Sequence, residues 1–565
     1  MNALRIWIAH EKETLRSIAL NLLIPPQNLV RLNPHIEDPD QVIAGSQVIL
    51  PDSVGSDRIF NPFVQLNNTI PICPTGPSPI LTNWIPLTPI EQMARTEYDV
   101  LIVGSGAGGG AVLWRLCEQW KRERKRIGII ERGGQVLQMH ARNLPTMNQD
   151  RLTAYFNYIS SPLPGAIPEY PDARQVFALG GRTLFWYAFS PRMHEWDLAK
   201  WPIPLQELES YYGVAELVMN VTPSFAEGSS FTEILLERLW MRGYSKASPL
   251  PVAADIEPHS FGRIHTDMFT SSISLLARAL NERPFDLAVN ARAVQILHSQ
   301  GRVAGVKVMT PDKQAYNLRA KTVVVCASTF ETPRLLLSSG IQTGAIGHYL
   351  TNQTFIQATG RINTNQFPVP LGPLNIMIPQ TPVNRYSVLL TGPEAFYWYP
   401  VAMERPPETE TDANMYGYGK IQSRYENRIE LDYANIDEYG VPQIKVHFSL
   451  SPDDWSVVRE MADGIRRLAA DAGIRLASRD NRPAICLTPF GNLHHDAGTC
   501  RIGNDPSVSG ADPYGQIHGI SGLFVADNSA LPDTGAENQT LTTIALAIRT
   551  ADYIARCNAA IPNIV

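Results

Sequence analysis

Tyr98-Asp-Val-Leu-Ile-Val-Gly-Ser-Gly-Ala-Gly-Gly-Gly110 decides the fold. It reads as a short buried strand, a glycine-rich turn and then a helix from about Ala111 to Lys121. Gly104, Gly106 and Gly109 fit G-x-G-x-x-G, in which the first glycine permits the tight turn. The second lets backbone approach a pyrophosphate, and the third lets the helix pack closely on the strand. A helix N-terminus at this place offers free N–H groups and a positive dipole end to phosphate. A second apolar strand, Ile127-Gly-Ile-Ile-Glu131, ends in an acid where such folds carry the carboxylate that hydrogen-bonds a ribose hydroxyl. Arg132, directly after Glu131, is counted with the cofactor contacts. Strand, motif, helix, strand and acid in one unit predict a dinucleotide site, and a merely structural glycine turn leaves the acid unexplained. The unit does not separate NAD from FAD.

The rest of the composition narrows the class. With 565 residues the chain has room for two or three domains. It is 44% hydrophobic and 18% charged with net charge −6, an ordinary globular balance whose mild acidity argues against nucleic acid. The basic run Lys121-Arg-Glu-Arg-Lys-Arg126 reads as a solvated helix end. No apolar run reaches membrane-spanning length, and the N-terminus lacks a cationic start with an apolar core. Cys73, Cys117, Cys326, Cys486, Cys500 and Cys557 show no metal-like spacing, so we expect no metal and reduced thiols. The expected location is therefore the cytoplasm.

Taken in order, residues 1–55 form a small separate unit. Glu13-Thr-Leu-Arg-Ser-Ile18 opens a helix that Thr14 can cap, Pro26 to Leu32 forms a second, and Val42-Ile-Ala-Gly-Ser-Gln-Val-Ile-Leu-Pro51 reads as turn and strand. On Thr14-Leu15, Ile18, Leu29, Leu32-Asn33-Pro34, Gly45 and Val48-Ile-Leu-Pro51 the unit resembles a LysM domain. That resemblance implies a glycan or protein partner, and with it the cell envelope as the alternative location. Residues 56–96, rich in Pro, Asn and Thr, read as an extended linker. Further on, Gly180 and Gly181 precede bulky aromatics and suggest a loop pressed on a flat ligand. Residues 196–219 read as helical. Strands at Asp286–Val289, Ala293–Ile296, Val303–Met309 and Lys321–Ala327, with a hairpin turn at Gln300-Gly301, return to α/β texture. The alternating stretches Phe396–Pro400, Arg428–Asp432 and Gln443–Phe448 predict an antiparallel sheet that walls a substrate cavity. A helix over 453–472 follows.

Three C-terminal stretches carry the chemistry: Asn492-Leu-His-His-Asp-Ala-Gly-Thr-Cys-Arg-Ile-Gly503, Gly522-Leu-Phe-Val-Ala-Asp527, and Gly535-Ala-Glu-Asn-Gln-Thr-Leu-Thr-Thr543. Together with Gly104–Glu131, Gly180-Gly181, and Ala327 with Thr332-Pro333, they resemble the glucose-methanol-choline (GMC) family of FAD-dependent oxidoreductases over residues 97–560. Gly180-Gly-Arg-Thr-Leu-Phe-Trp186 is most similar to the pyranose oxidase and sugar dehydrogenase branch. The resemblance implies FAD rather than NAD. It implies His495 as the base and Asn538 as its companion at the substrate oxygen. It also places Gly104, Gly106, Gly109, Glu131, Arg132, Gly180, Gly181, Ala293, Ala327, Asp527, Ala536, Gln539 and Thr540 at the cofactor. Some members link the flavin through a histidine before the tryptophan; Phe185 stands there, so FAD is expected to be noncovalent. Ser328 stands where the family usually has glycine, and Gln539 where proline often follows the asparagine. His494 is expected to face away or support its neighbour.

The expected fold is thus α/β (α+β overall). A Rossmann-like FAD-binding domain occupies 97–190, 251–345 and 485–565, and a discontinuous antiparallel-sheet substrate domain occupies 191–250 and 346–484. The expected activity is oxidation of a CH–OH group, with a neutral imidazole as base and the cofactor as acceptor. Sugars or glycosides are the favoured substrates, and lipid, aryl or secondary-metabolite alcohols the alternative. A glycan-binding protein with a secondary flavin domain is the competing class; a pure binding module needs neither His495 nor Asn538.

Overall fold

The computed structural model describes residues 5–51, 83–163, 170–256, 268–368, 371–393, 409–478 and 482–559. The chain forms two units, residues 1–82 and 83–565.

In the first unit a strand (Arg5–Ile8), two helices (Leu15–Asn21 and Pro26–Leu32) and a last strand (Gln47–Leu50) follow one another, and the two strands pair antiparallel. Thr14 caps the first helix, accepting from Ser17 N while the Ser17 hydroxyl accepts from Thr14 N, the reciprocal arrangement of a capping box. Asn33, fully buried, clamps the second helix to the last strand. Its Nδ2 donates to Leu29 O and Ile49 O at 2.8 Å each, and its Oδ1 accepts from Ile49 N at 2.6 Å. Trp7, Leu15, Ile18, Leu29 and Val48 form the core. The opening strand is a weak sequence signal, because Trp7 points inward while the apolar Ile6 and Ile8 on either side of it lie half exposed.

In the second unit Glu97–Val103 is the central strand of a seven-stranded sheet. It runs parallel to Ile127–Ile130 on one side and to Ala315–Val325 on the other. Asp286–Ala288 extends the sheet beyond Ile127–Ile130. The far end of Ala315–Val325 pairs parallel with Leu523–Val525, and its near end joins the antiparallel hairpin Arg292–Ser299 and Arg302–Met309. From Val100 onward the central strand is apolar and buried on both faces, as a parallel strand covered by helices must be. Gln300 and Gly301 take the left-handed conformations that a tight hairpin turn requires. The opening helix spans Ala107–Gln119, so it begins inside the glycine run and not at Ala111. Its neighbour is the terminal helix Thr540–Ala559, tied to it by Arg115, whose Nε and Nη2 meet Asp552 at 2.6 and 2.9 Å.

A second seven-stranded sheet is antiparallel, in the order 475–476, 353–363, 410–420, 386–392, 374–378 and 248–249, with 485–487 also paired to 353–363. The helix Pro452–Ala472 covers one face, burying Val457, Met461, Ile465 and Leu468 against it.

Two further expectations need correction. The strands Arg428–Ile436 and Pro442–His447 do not join this sheet; they form a two-stranded sheet of their own, and Ile429, Ile444 and Val446 pack on Phe330. The linker expected over 56–96 ends early: Ile85 and Met93 are buried in the main core, and Ile90–Arg95 is helical. Thr88 N donates to Leu287 O at 2.7 Å, adding that segment to the sheet edge. The stretch Phe396–Pro400, Cys73 and linker residues 56–82 lie outside the described residues. The five described cysteines are free thiols, and no described helix is long and apolar enough to cross a membrane.

Ser328 opens the helix Ser328–Ser338 at φ +84°, a left-handed conformation that costs an L-residue about 1–2 kcal/mol. Ser328→Gly should therefore stabilise the folded chain by about 1 kcal/mol after glycine's own flexibility is discounted. Thermal unfolding will read this as a rise in Tm; an unchanged or lower Tm would show that the serine side chain compensates the strain.

Candidate active site

Between the two sheets lies a cavity of about 610 Å³. The glycine turn forms one end. Gly104 sits at φ +98°, and a Cβ there would lie 2.3 Å from Cys326 O. A Cβ on Gly109 would lie 1.9 Å from Gly104 O, so this glycine serves helix–strand packing and does not line the cavity. Gly106 differs: a Cβ there would meet no protein atom within 4 Å, and the helix that follows it has no side-chain cap. A helix N-terminus with free N–H groups, fronted by a glycine that opens only on cavity, is a cradle for phosphate.

Glu131 is buried beside this turn. Its carboxylate accepts from Ser105 N at 3.0 Å, Ser105 Oγ at 2.7 Å and Gly133 N at 2.9 Å, while burial pushes its pKa up. Arg132 pairs with Glu331 at 3.1 Å and lies over the Phe177 ring. Gly181, Ala293 and Ala327 also line the wall. Gly180 stands one layer back at φ +94°, its N–H donating to Ser105 Oγ at 3.0 Å. Asp527 accepts from Ser328 N, Thr332 Oγ1 and Ser529 N at 2.6–2.8 Å and reaches the cavity. Thr540, where the terminal helix begins, lines it too. Ala536 and Gln539 do not: Ala536 is fully buried with its carbonyl accepting from Ser387 Oγ, and Gln539 Oε1 accepts from Asn528 Nδ2 at 3.3 Å.

At the other end stand His495 and Asn538. Asn538 Nδ2 lies 3.4 Å from His495 Nε2, and Asn538 Oδ1 is buried without a partner. The imidazole stacks on Tyr418 with centroids 5.7 Å apart, and its Nδ1 is 2.8 Å from Gln353 Oε1. Burial, reinforced by the nearby Arg182 charge, lowers the His495 pKa to about 3, so the ring is neutral. Asp496 does not oppose this. It is turned away, accepting from Tyr170 Oη, Asn352 Nδ2 at 2.9 Å and Arg182 Nη1 at 3.3 Å. His494 does not face away: it lines the cavity at φ +58° with its ring 5.2 Å from Phe156, and burial lowers its pKa to about 3. Phe185 also lines the cavity, at 5.7 Å from Phe156.

Sequence reasoning missed Gln353, Phe355, Gln357, Tyr416 and Tyr418. The first three alternate along one face of the strand 353–363. Phe355 faces Tyr418 and Gln357 faces Tyr416 across the pair, and all but Gln353 line the cavity. The period-2 pattern was available in the sequence; which face meets the cavity was not.

The glycine turn, the buried Glu131 and the His495 imidazole thus line one cavity. The chain matches the N-terminal part of the GMC oxidoreductase family over residues 129–355 and its C-terminal part over 423–547. It belongs to that family. GMC oxidoreductases carry FAD, so FAD is the cofactor, and the enzyme is an oxidoreductase acting on CH–OH donors. The chain is 27% identical to a C-glycoside 3-oxidase of Microbacterium trichothecenolyticum over 401 residues, covering 67% of this chain and 75% of that relative. It is 23% identical to a pyranose 2-oxidase of Tricholoma matsutake over 431 residues, covering 68% and 73%. The fold is that of formate oxidase from Aspergillus oryzae, with TM-score 0.60 at 15% identity over 82% of this chain and 99% of that one. Both family matches lie outside residues 5–51, so the LysM likeness of that unit rests on its own residues.

The two kinds of glycine can be told apart. Gly106→Ala should leave the apoprotein's Tm unchanged and weaken FAD binding about tenfold or more, because the added methyl projects into the cradle. Gly108→Ala should instead destabilise the apoprotein by about 3 kcal/mol or more, since its Cβ would lie 1.7 Å from the backbone oxygen of Ala526. Apoprotein melting and FAD titration, read together, check both.

Proposed function

We propose that this protein oxidises a secondary or primary CH–OH group of a sugar or glycoside, with FAD held noncovalently and His495 as the base. The observation that carries the reading is the neutral imidazole, with Nε2 beside Asn538 and Nδ1 engaged by an acceptor, at the wall of the cavity that contains the phosphate cradle. FAD, when bound, would supply the acceptor for the hydride, which carries both electrons. His495 Nε2 receives the proton of the substrate hydroxyl. Asn538 holds the same oxygen through Nδ2, which orients the carbon that loses hydrogen. Phe355, Tyr416 and Tyr418 offer flat apolar faces to the C–H faces of a sugar ring, while Gln357 and Gln149 supply amides for its other hydroxyls. The C-glycoside 3-oxidase and pyranose 2-oxidase relatives support a sugar over a lipid or aryl alcohol. Phe185, a hydrocarbon where the branch's linking histidine stands, supports noncovalent FAD.

The lowered His495 pKa has a signed consequence. An ordinary histidine loses its base form below about pH 6.5, and lowering the pKa carries that loss to lower pH. The substrate-reduction rate should therefore hold from pH 8 down to about pH 5; an acid limb near 6.5 would show an ordinary, solvated base. His495→Ala should slow flavin reduction by about 10²–10⁴-fold with FAD content intact. The deciding experiment records the anaerobic visible spectrum against sugars, glycosides, aliphatic and aryl alcohols. Bleaching by sugars or glycosides is expected, and bleaching by the other classes alone would overturn the substrate assignment.

A further inference from the structure

Gln353 sits at the first position of its strand, 1% exposed, with both ends of its amide committed. Its Nε2 faces three backbone carbonyls, Thr534 O at 3.0 Å, Gly535 O at 3.1 Å and Glu537 O at 2.9 Å. Three acceptors around one atom fix which end of the amide is nitrogen, since an oxygen there would face three other oxygens. The opposite atom is therefore Oε1, an acceptor only, and it lies 2.8 Å from His495 Nδ1. A neutral imidazole carries one ring proton. An acceptor at Nδ1 draws that proton to Nδ1 and leaves Nε2 with a bare lone pair. Nε2 is the nitrogen beside Asn538.

The same amide ties together two loops far apart in sequence. The carbonyls it binds belong to residues 534, 535 and 537, the segment that leads directly into Asn538. Its own backbone N–H donates to Asn352 Oδ1 at 2.8 Å, and Asn352 Nδ2 reaches Asp496, the residue after His495. One side chain thus meets the base directly and the companion's loop directly.

We infer that Gln353 is a positioning residue for the oxidation: it holds the proton of His495 on Nδ1, presents Nε2 as the free base, and sets the spacing between His495 and the loop that carries Asn538. This rests on the reading of His495 as the base. On arrival of the substrate proton at Nε2, the imidazolium keeps its Nδ1 proton on Gln353 Oε1, so no proton has to leave the ring before the reaction and none is lost from it during the step.

The test has a spectroscopic arm and a kinetic arm. In the holoenzyme labelled with ¹⁵N-histidine, with the His495 signals identified by their loss in His495→Asn, wild type should show a protonated Nδ1 and an unprotonated Nε2. Gln353→Leu, close in volume but without donor or acceptor, should shift His495 toward the Nε2-protonated form and slow flavin reduction about 10- to 100-fold at unchanged FAD content. Gln353→Glu, whose side chain must carry a proton against three carbonyls, keeps both a donor and an acceptor. It should restore the wild-type tautomer and most of the rate. A wild-type His495 protonated on Nε2 overturns the inference, and this outcome is readable even if Gln353→Leu fails to fold. Gln353→Leu with the wild-type tautomer and rate overturns it as well. A wild-type flavin that no sugar, glycoside or alcohol bleaches would instead refute the proposed function while leaving the tautomer result to stand on its own.

Discussion

There is no room for a side chain at residue 108, and the neighbour that forbids it is the backbone of Ala526, more than four hundred residues away. The same holds at Gly104 against Cys326. At these two glycines three parallel strands are drawn so close that their C-terminal ends, at Val103, Val325 and Val525, converge on one turn. Everything functional follows from that convergence. The loop after Val525 carries Asp527 and Asn528, and the strand it leaves is the anchor from which the Gly535–Thr540 segment returns to the cavity. Carbonyls of Asn528, Ser529 and Ala530 accept from the backbone of Gly498, Cys500 and Ile502, which sets the loop bearing His495 on the same platform. His495 and Asn538 can face the glycine turn at residues 104–107 across one cavity only because the backbone between them is in direct contact.

Burial then decides the chemistry of what converges. His495 is stacked on Tyr418 and half-buried in the cavity wall, so the protonated ring loses much of its hydration, and Arg182 adds a repelling charge. An adjacent carboxylate would reverse this, and one is present in sequence at Asp496. The fold spends that carboxylate on Arg182, Tyr170 and Asn352. Both histidines line the cavity while Asp496 points away, with His494 in a left-handed conformation, and this lets an acid sit next to the imidazole in the chain without acting on it. Arg182 directly follows Gly180-Gly181, so the aromatic-rich glycine loop sets the charge felt by His495 as well as the cavity wall.

How much of this was legible depends on whether the signal was local. The glycine turn, Glu131 and the hairpin at Gln300-Gly301 are short patterns whose backbone demands are met within a few residues, and the structure repeats them. The helix start was misjudged because Gly108–Gly110 read as turn, whereas close packing against Ala526, Gly104 and Ser272 holds three glycines inside a helix. The Pro-rich composition of 56–96 masked Ile85, Ile90 and Met93, three apolar anchors whose burial is a tertiary fact. The strands 428–436 and 442–447 show sound alternation, but period-2 patterning says which face is buried and not which sheet buries it. Gln353 is the clearest case. An amide among Thr and Phe at a strand start announces nothing, and its partner His495 is 142 residues away.

The loop that carries Asn538 raises a further question of energetics, since it is held by groups that an apolar core would avoid. Gln380 Nε2 donates to Asp197 Oδ2 at 2.7 Å and to Glu537 Oε1 at 2.9 Å, and Lys420 pairs with Asp197. Burial, and then the Asp197 charge, push the Glu537 pKa up to about 8, so near neutral pH this carboxyl largely keeps its proton. That leaves Asp197 paired with Lys420 and, more distantly, with Lys200 at 3.9 Å, rather than facing a second buried negative charge on Glu537. A buried ion pair contributes little net stability, because desolvation offsets most of the attraction. Its directional bonds do something an apolar contact cannot: they come from three separate elements, the helix Glu195–Leu198, the residues after 374–378 and the end of 410–420, and meet at one loop. An apolar clamp would tolerate a slide of the segment 533–538; this one does not, and Gln353, anchored on the carbonyls of that segment, transmits its placement to the imidazole.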